Sequence, residues 1–293
     1  MMDKLKQNLQ YLIFKVGYAG LYVISLLPMS FLYALAYFAY FITYYLAGYR
    51  KEVVIQNIAR SFPEKRYGEI NAIVKKFYSC FVSYFAEFIK GVSARGEDLE
   101  KKIEFDNLEL VDQLIKSGRP VIAALGHCGN WEMLNLLPRK VPYNIFAVYK
   151  PLHNKFANSL MVKLRTRFGL RLIPAQRVSR YMLSRPASPA VYLFLADQCP
   201  NLTDEHYRFT FLNQETYFFP GMEKLARGTN AAVIYLHITQ SAKGHYKVSF
   251  QQIIDKAASA KEGEITQKYL ELLTENIKEE PYGWLWTHKR WKK

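Results

Sequence analysis

The sequence predicts an α/β protein: a largely parallel, mixed sheet with helices on both faces, and an N-terminal membrane-anchoring helical segment ahead of it. Three observations lead there. From Ile103 onward, short apolar runs alternate with helical patterns, as βαβ units require. Polar clusters directly follow several of those runs, and open sheets of this kind bind ligands beyond the carboxyl ends of their strands. Finally, no charged residue occurs between Val16 and Tyr49, a run flanked by Lys15 and Arg50-Lys51.

The uncharged run divides the chain into an anchor segment, 1–49, and a single α/β domain, 50–293. Pro28 splits the run, and residues 29–49 are just long enough to cross a ~30 Å hydrocarbon core as a helix. The run is too long for a secretory signal peptide and has no clear cleavage site. Tyr33, Tyr37, Tyr40 and Tyr44 repeat at helical spacing, so one stripe faces protein or the headgroup layer. A buried hairpin of core helices is the alternative.

Beyond a basic amphipathic link ending at Ser61-Phe62-Pro63-Glu64, apolar residues from Ile70 to Ile89 recur every three or four positions. The pattern predicts a helix with a wide aromatic face, chiefly core-facing. Strands are predicted at 103–106, 120–125, 144–149, 190–196, 231–238 and 246–252. Helices are predicted at 107–117, 131–137, 154–168, 177–184, 220–229 and 263–279.

Lys and Arg outnumber Asp and Glu by 40 to 25, a formal charge of +15. That balance favours polyanionic partners. Half of the residues are hydrophobic, enough for a sizeable core, and the three cysteines form no CxxC pair. Neither a disulfide framework nor a zinc knuckle is implied. His127, His153, His206, His237, His245 and His288 lack close ligand spacing, so no metal site and no cofactor are expected.

The chemistry centres on His127-Cys128-Gly129-Asn130-Trp131-Glu132, directly after the apolar run 121–125. An imidazole takes up a proton near neutral pH, and a carboxylate can hold it in one tautomer. Residues five apart on a helix diverge by about 140°, so a turn must bring His127 and Glu132 together. Gly126 and Gly129 permit one, and Asn130 suits the N-cap of a helix starting at Trp131. The plainer alternative makes His127 a strand-end histidine and Glu132 a helix-dipole partner.

Other clusters fall at similar places. Lys150 and Asn154 follow the run ending at Tyr149 and could bind a phosphate or a sugar hydroxyl. Arg165 and Arg167 come later on the next helix and diverge, so at most one faces the site. Asp197-Gln198 follows another apolar run, and Pro220-Gly221 opens a helix whose free backbone N–H groups suit an anion or oxyanion. Gly129 and Asn130 are further oxyanion candidates. The segment Trp284 to Lys293 interleaves Trp with cations, a pattern suited to a membrane interface, nucleic acid or a cation–π cluster.

Taken in order, these clusters resemble the late acyltransferases of bacterial lipid A synthesis. That lauroyl/myristoyl acyltransferase family lies within the glycerophospholipid-type enzymes marked by His-x4-Asp/Glu. The resemblance runs through Arg50, Asn57 and Ser61-Phe62-Pro63-Glu64, then His127 to Glu132, Tyr149-Lys150-Pro151, Arg165 to Gly169, Asp197-Gln198 and Pro220-Gly221. It closes at Trp286-Thr287-His288-Lys289-Arg290-Trp291-Lys292. Lys150 and Lys289 stand where the family often has Arg.

The resemblance implies fatty acyl transfer from a thioester, usually acyl carrier protein and otherwise acyl-CoA, to a hydroxyl of an anionic lipid A precursor. It implies His127 as general base, Glu132 as its orienting partner, and no covalent serine. Gly129, Asn130, Lys150, Asn154, Arg165, Arg167, Asp197 and Gly221 are the substrate-binding candidates. The expected location is the inner membrane, with the site facing the cytoplasm and no nucleic-acid partner. Three other readings stand beside it: the same chemistry on an aminolipid, glycolipid or lysophospholipid; a Cys128 thiol enzyme; and a nonenzymatic membrane-bound polyanion binder.

Overall fold

In the computed structural model, residues 2–184, 189–200 and 204–291 are described, with side chains from residue 14 onward. Lys292 of the closing motif and Lys293 lie outside them.

The N-terminal run folds as α1 (Met2–Leu26) and α2 (Met29–Phe41), and one π-helical turn, Ile42–Leu46, extends α2. Pro28 separates them because its ring cannot continue α1, while its fixed φ, here −54°, suits the start of α2. Helices α3 (Lys51–Ser61) and α4 (Tyr67–Lys90) follow. Packing settles one face of α2: Leu32 and Ala36 lie on Val82 and Ala86 of α4 with Tyr33 and Tyr40 against them, whereas Tyr37 of the tyrosine stripe is exposed. The opposite face leaves Leu35, Phe38 and Phe41 exposed. Lys90 Nζ donates to the carbonyls of Ser25 (3.0 Å) and Leu27 (2.9 Å), satisfying acceptors that the end of α1 leaves open.

After α5 (Gly96–Glu100) the βα alternation begins. It runs β1 (Ile103–Asp106), α6 (Leu108–Lys116), β2 (Val121–Leu125), a 3-10 segment Trp131–Arg139, β3 (Asn144–Tyr149), α7 (Lys155–Arg165), β4 (Arg171–Pro174), α8 (Val178–Leu183) and β5 (Ala190–Leu195). A hairpin of β6 (Arg208–Phe211) and β7 (Gln214–Tyr217) precedes α9 (Gly221–Thr229), β8 (Ala232–Ala242), β9 (His245–Ile254) and α10 (Glu264–Glu279).

Seven strands form one sheet in the order β1-β9-β8-β2-β5-β3-β4. Every neighbouring pair is parallel except β8 with β9. The period of two divides side chains between its faces. Ile122, Ala124, Tyr192 and Phe194 join the core beneath α3, α4, α9 and α10. Val121, Ala123, Leu125, Val191 and Leu193 join the core under α6 and the 3-10 segment. Central strands buried on both faces explain the unbroken apolar runs.

Each predicted strand is present. The sequence reading lacks β4 and the β6–β7 hairpin. Strand β4 has only four residues, begins with an arginine and ends in a proline, as an edge position allows. The β6–β7 turn places Leu212 at φ 48° and Asn213 at φ 61°, without the Asn-Gly or Asp-Gly pair that flags such turns. The helix predicted at 131–137 is a 3-10 segment. Pro138 lies inside it, lacks an N–H, and obstructs the carbonyl four residues earlier.

Candidate active site

The site forms where β2 and β5 end side by side. Leu125 pairs with Leu195 in register, and His127 and Asp197 each lie two residues further on. The His127 backbone N–H donates to Asp197 Oδ2 at 2.9 Å, and its Nδ1 lies 2.6 Å from Asp197 Oδ1. Trp284 Nε1 donates to the same Oδ2 at 2.8 Å. Burial alone would push the Asp197 carboxyl up. The facing His127, with hydrogen bonds from its ring and backbone and from Trp284, outweighs burial and brings it down to about 2.

An ionised Asp197 only accepts hydrogen bonds, so His127 Nδ1 carries the proton. In the neutral imidazole Nε2 then keeps a lone pair, as a general base requires. The Gln198 amide nitrogen lies 3.4 Å from Nε2. Trp131 meets the ring edge-on, centroids 4.8 Å apart.

Two glycines shape the turn after β2. A Cβ on Gly126 would lie 2.4 Å from Leu273 Cδ1, and Gly129 adopts φ +55°. The Gly129 N–H donates to the Gly283 carbonyl at 2.9 Å, so it is not a free oxyanion donor. The Asn130 side chain does not cap the following segment. It is buried and donates to Glu87 Oε2 at 2.7 Å.

Glu132 binds Arg165. The guanidinium Nε donates to its Oε2 at 2.8 Å, and Nη2 to the other oxygen. The carboxylate bonded to the His127 ring is therefore Asp197, whereas the sequence reading expects Glu132. The ion pair lines a small cavity of about 40 Å³ whose other walls include Leu125, Trp131, Leu134, Val148, Leu193 and Leu195.

The remaining predicted residues scatter. Arg167 diverges from Arg165 and donates to the Gly91 carbonyl at 2.5 Å. Asn154 Oδ1 caps α7 by accepting from the Ala157 N–H at 2.9 Å. Lys150 is exposed at the end of β3. Gly221 opens α9 behind the exposed Phe219.

The aromatic C-terminal segment turns inward rather than toward a membrane: Trp284 and Trp286 are buried. Asn57 Nδ2 donates to the carbonyls of Trp286 (2.9 Å) and His288 (3.0 Å), and Arg50 Nη1 to that of Thr287 (3.0 Å). Arg290 is buried against the Phe218 ring, 4.1 Å from its centroid, and donates to Thr216 Oγ1 at 2.8 Å. The sequence reading missed Trp284 as a partner of the site, and missed Glu87. Trp284 carried one signal, its place at the head of the aromatic C-terminal segment; Glu87, on the amphipathic α4, carried only its charge.

Cys128 is fully buried, and burial pushes its thiol well above the ordinary value, the reverse of an activated nucleophile. Among the described residues no cluster of three His, Cys, Asp or Glu side chains could hold a metal ion.

No curated protein matches the chain. A family model does, described as bacterial lipid A biosynthesis acyltransferase and matching residues 2–293. With nearly its whole length matched, and with an Asp-held histidine at the mouth of its sheet, the chain belongs to the bacterial lipid A biosynthesis acyltransferase family and is an acyltransferase.

Proposed function

We propose that this enzyme moves a fatty acyl chain from a thioester, carried by acyl carrier protein, to a hydroxyl of a lipid A precursor, with His127 as general base. The observation that carries this reading is the Asp197-held imidazole, which keeps Nε2 for the acceptor. Nε2 takes the hydroxyl proton as the acceptor oxygen bonds to the thioester carbonyl carbon. The tetrahedral intermediate then collapses, the carbon–sulfur bond breaks, and the departing thiolate takes the proton from His127. Asp197 stabilises the imidazolium formed between the two steps. Glu132 and Arg165 hold each other in the wall of the largely apolar cavity, beside the place where the acyl chain and acceptor meet.

The formal charge of +15 supports an acidic carrier and an anionic acceptor. Exposed Lys150 at the end of β3 is the headgroup contact best placed to be free. The family is membrane-associated in bacteria, and one helix, Met29–Leu46, is long and apolar enough to cross a membrane. Because one face of α2 packs along α4, its exposed apolar face is the surface we assign to lipid, on the cytoplasmic side of the inner membrane.

The test is acyl transfer by purified full-length protein from acyl–acyl carrier protein to a lipid A precursor, read by mass spectrometry. Wild type forms the acylated product and His127→Ala does not. Activity of His127→Ala at the wild-type rate would overturn the mechanism. Transfer to a lysophospholipid but not to the lipid A precursor would overturn the acceptor.

A further inference from the structure

Glu87 has no part in the proton transfers above, yet its carboxylate sits between the N-terminal hairpin and the site. It projects from the inner side of α4, one turn beyond the buried Ser83. The Tyr33 hydroxyl of α2 donates to its Oε1 at 2.9 Å. Its Oε2 accepts from Tyr246 of β9 at 2.7 Å and from Asn130 at 2.7 Å. Burial pushes the Glu87 carboxyl up against the opposing pull of these three donors. Packing α2 onto α4 does not call for a carboxylate, since Leu32, Ala36, Val82 and Ala86 already do this. A burial cost of this kind is tolerated where the group orients something.

What it orients is Asn130, which lies between His127 and Glu132 in the turn beyond β2. The buried Asn130 amide has Glu87 as its acceptor, and the turn is pinned next door by the Gly129 hydrogen bond to Gly283. We propose that Glu87 is a positioning residue for acyl transfer, holding the His127–Glu132 turn through Asn130 and linking it through Tyr33 to the seating of α2. The proposal rests on His127 being the base. It makes the N-terminal hairpin part of the active-site scaffold rather than a tether alone.

The experiment compares full-length Glu87→Ala, Glu87→Gln and Tyr33→Phe, with His127→Ala as control, in detergent. The donor is acyl–acyl carrier protein and the acceptor a lipid A precursor, and thermal melting is measured in parallel. Glu87→Ala is expected to lower kcat by up to about a hundredfold, the loss that a small misplacement of reacting groups produces, with KM for the donor little changed. Glu87→Gln keeps an acceptor oxygen and recovers most of the rate. Tyr33→Phe lowers kcat less, and adding it to Glu87→Ala brings no further loss, because both remove one linkage. A wild-type kcat in Glu87→Ala, or a lowered melting temperature with kcat unchanged, would overturn the proposal. Full additivity of the two substitutions would overturn the link to α2. Should Glu87→Ala fail to fold, Tyr33→Phe decides: unchanged kcat overturns the link and reduced kcat at constant KM supports it. An active His127→Ala defeats the base assignment itself, whereas an inactive His127→Ala beside a fully active Glu87→Ala defeats only the positioning role.

Discussion

His127 and Asp197 stand the same two residues beyond Leu125 and Leu195, which face each other across adjacent parallel strands. Side-by-side strand ends thus deliver an imidazole and a carboxylate to one point although 70 residues separate them in sequence. Asp197→Asn offers Nδ1 an amide and permits the wrong tautomer. It should lower kcat by about 10²–10⁴-fold, with KM for the donor nearly constant. Trp284→Phe, which removes one donor to Asp197, should lose less. Steady-state acyl transfer checks both.

The same pair sets an acid limit on stability. The Asp197 carboxyl is lowered in the fold, from 3.8 to about 2. Its contribution is therefore complete above the unfolded value near 4 and is lost as pH falls toward 2. It amounts to roughly 2 kcal/mol. Thermal melting of wild type should deteriorate between pH 4 and pH 2 more steeply than that of Asp197→Asn. Parallel curves would show that Asp197 contributes no such linkage.

Arg165 has its fork on Glu132, so Arg165→Ala strands a largely buried carboxylate. A destabilisation of about 1–3 kcal/mol is expected, with most of it recovered in Glu132→Gln/Arg165→Ala. The activity loss should be equal for phosphorylated and dephosphorylated acceptors. Lys150→Ala, by contrast, should raise KM chiefly for the phosphorylated one. A preference for the dephosphorylated acceptor in Arg165→Ala would assign headgroup reading to Arg165 instead.

Phe38 is 63% exposed and Leu46 70%, and both belong to the face of the hairpin turned away from α4. Replacing them by Asp should weaken flotation with anionic vesicles while leaving the melting temperature near wild type. Deleting residues 1–49 is a harsher change, because it uncovers Val82 and Ala86 of α4. Aggregation is the expected result, seen by size-exclusion chromatography. Unchanged flotation of the Asp variants would remove the hairpin from the membrane contact.

Cys128 lies against Trp284 in an isolated bridge and is buried. Cys128→Ser should retain activity, and the native thiol should resist alkylation until the protein unfolds. Rapid native labelling that abolishes activity would revive the thiol mechanism.

Much of this was legible from periodicity. The buried strands announced themselves as apolar runs, and β3 spans the predicted 144–149. His127 was legible because a titratable group directly after a buried strand has few structural reasons to be there. The partner of His127 was not, because sequence proximity favours Glu132 while spatial proximity depends on strand order. Nothing local states that β5 lies beside β2. The sequence puts Arg165 on the helix after β3, but its attachment to Glu132 depends on the path of α7 across the sheet. The C-terminal tryptophans matched a membrane-interface pattern equally well; partners far away in sequence, Asp197 for Trp284 and Arg50 and Asn57 for the backbone of residues 286–288, hold the segment inside.

That long-range clasp has a consequence for the order of events in the cell. Trp284, which grips Asp197, is added 157 positions after His127. At ribosomal rates of about 5–20 residues per second, that is a delay of roughly ten to thirty seconds. Throughout it, α1 and α2 are already made, while Arg50 and Asn57 still wait for the carbonyls they will hold. The N-terminal hairpin and His127 thus exist before the tryptophan that fixes Asp197, and the order of translation becomes the order in which the site is assembled.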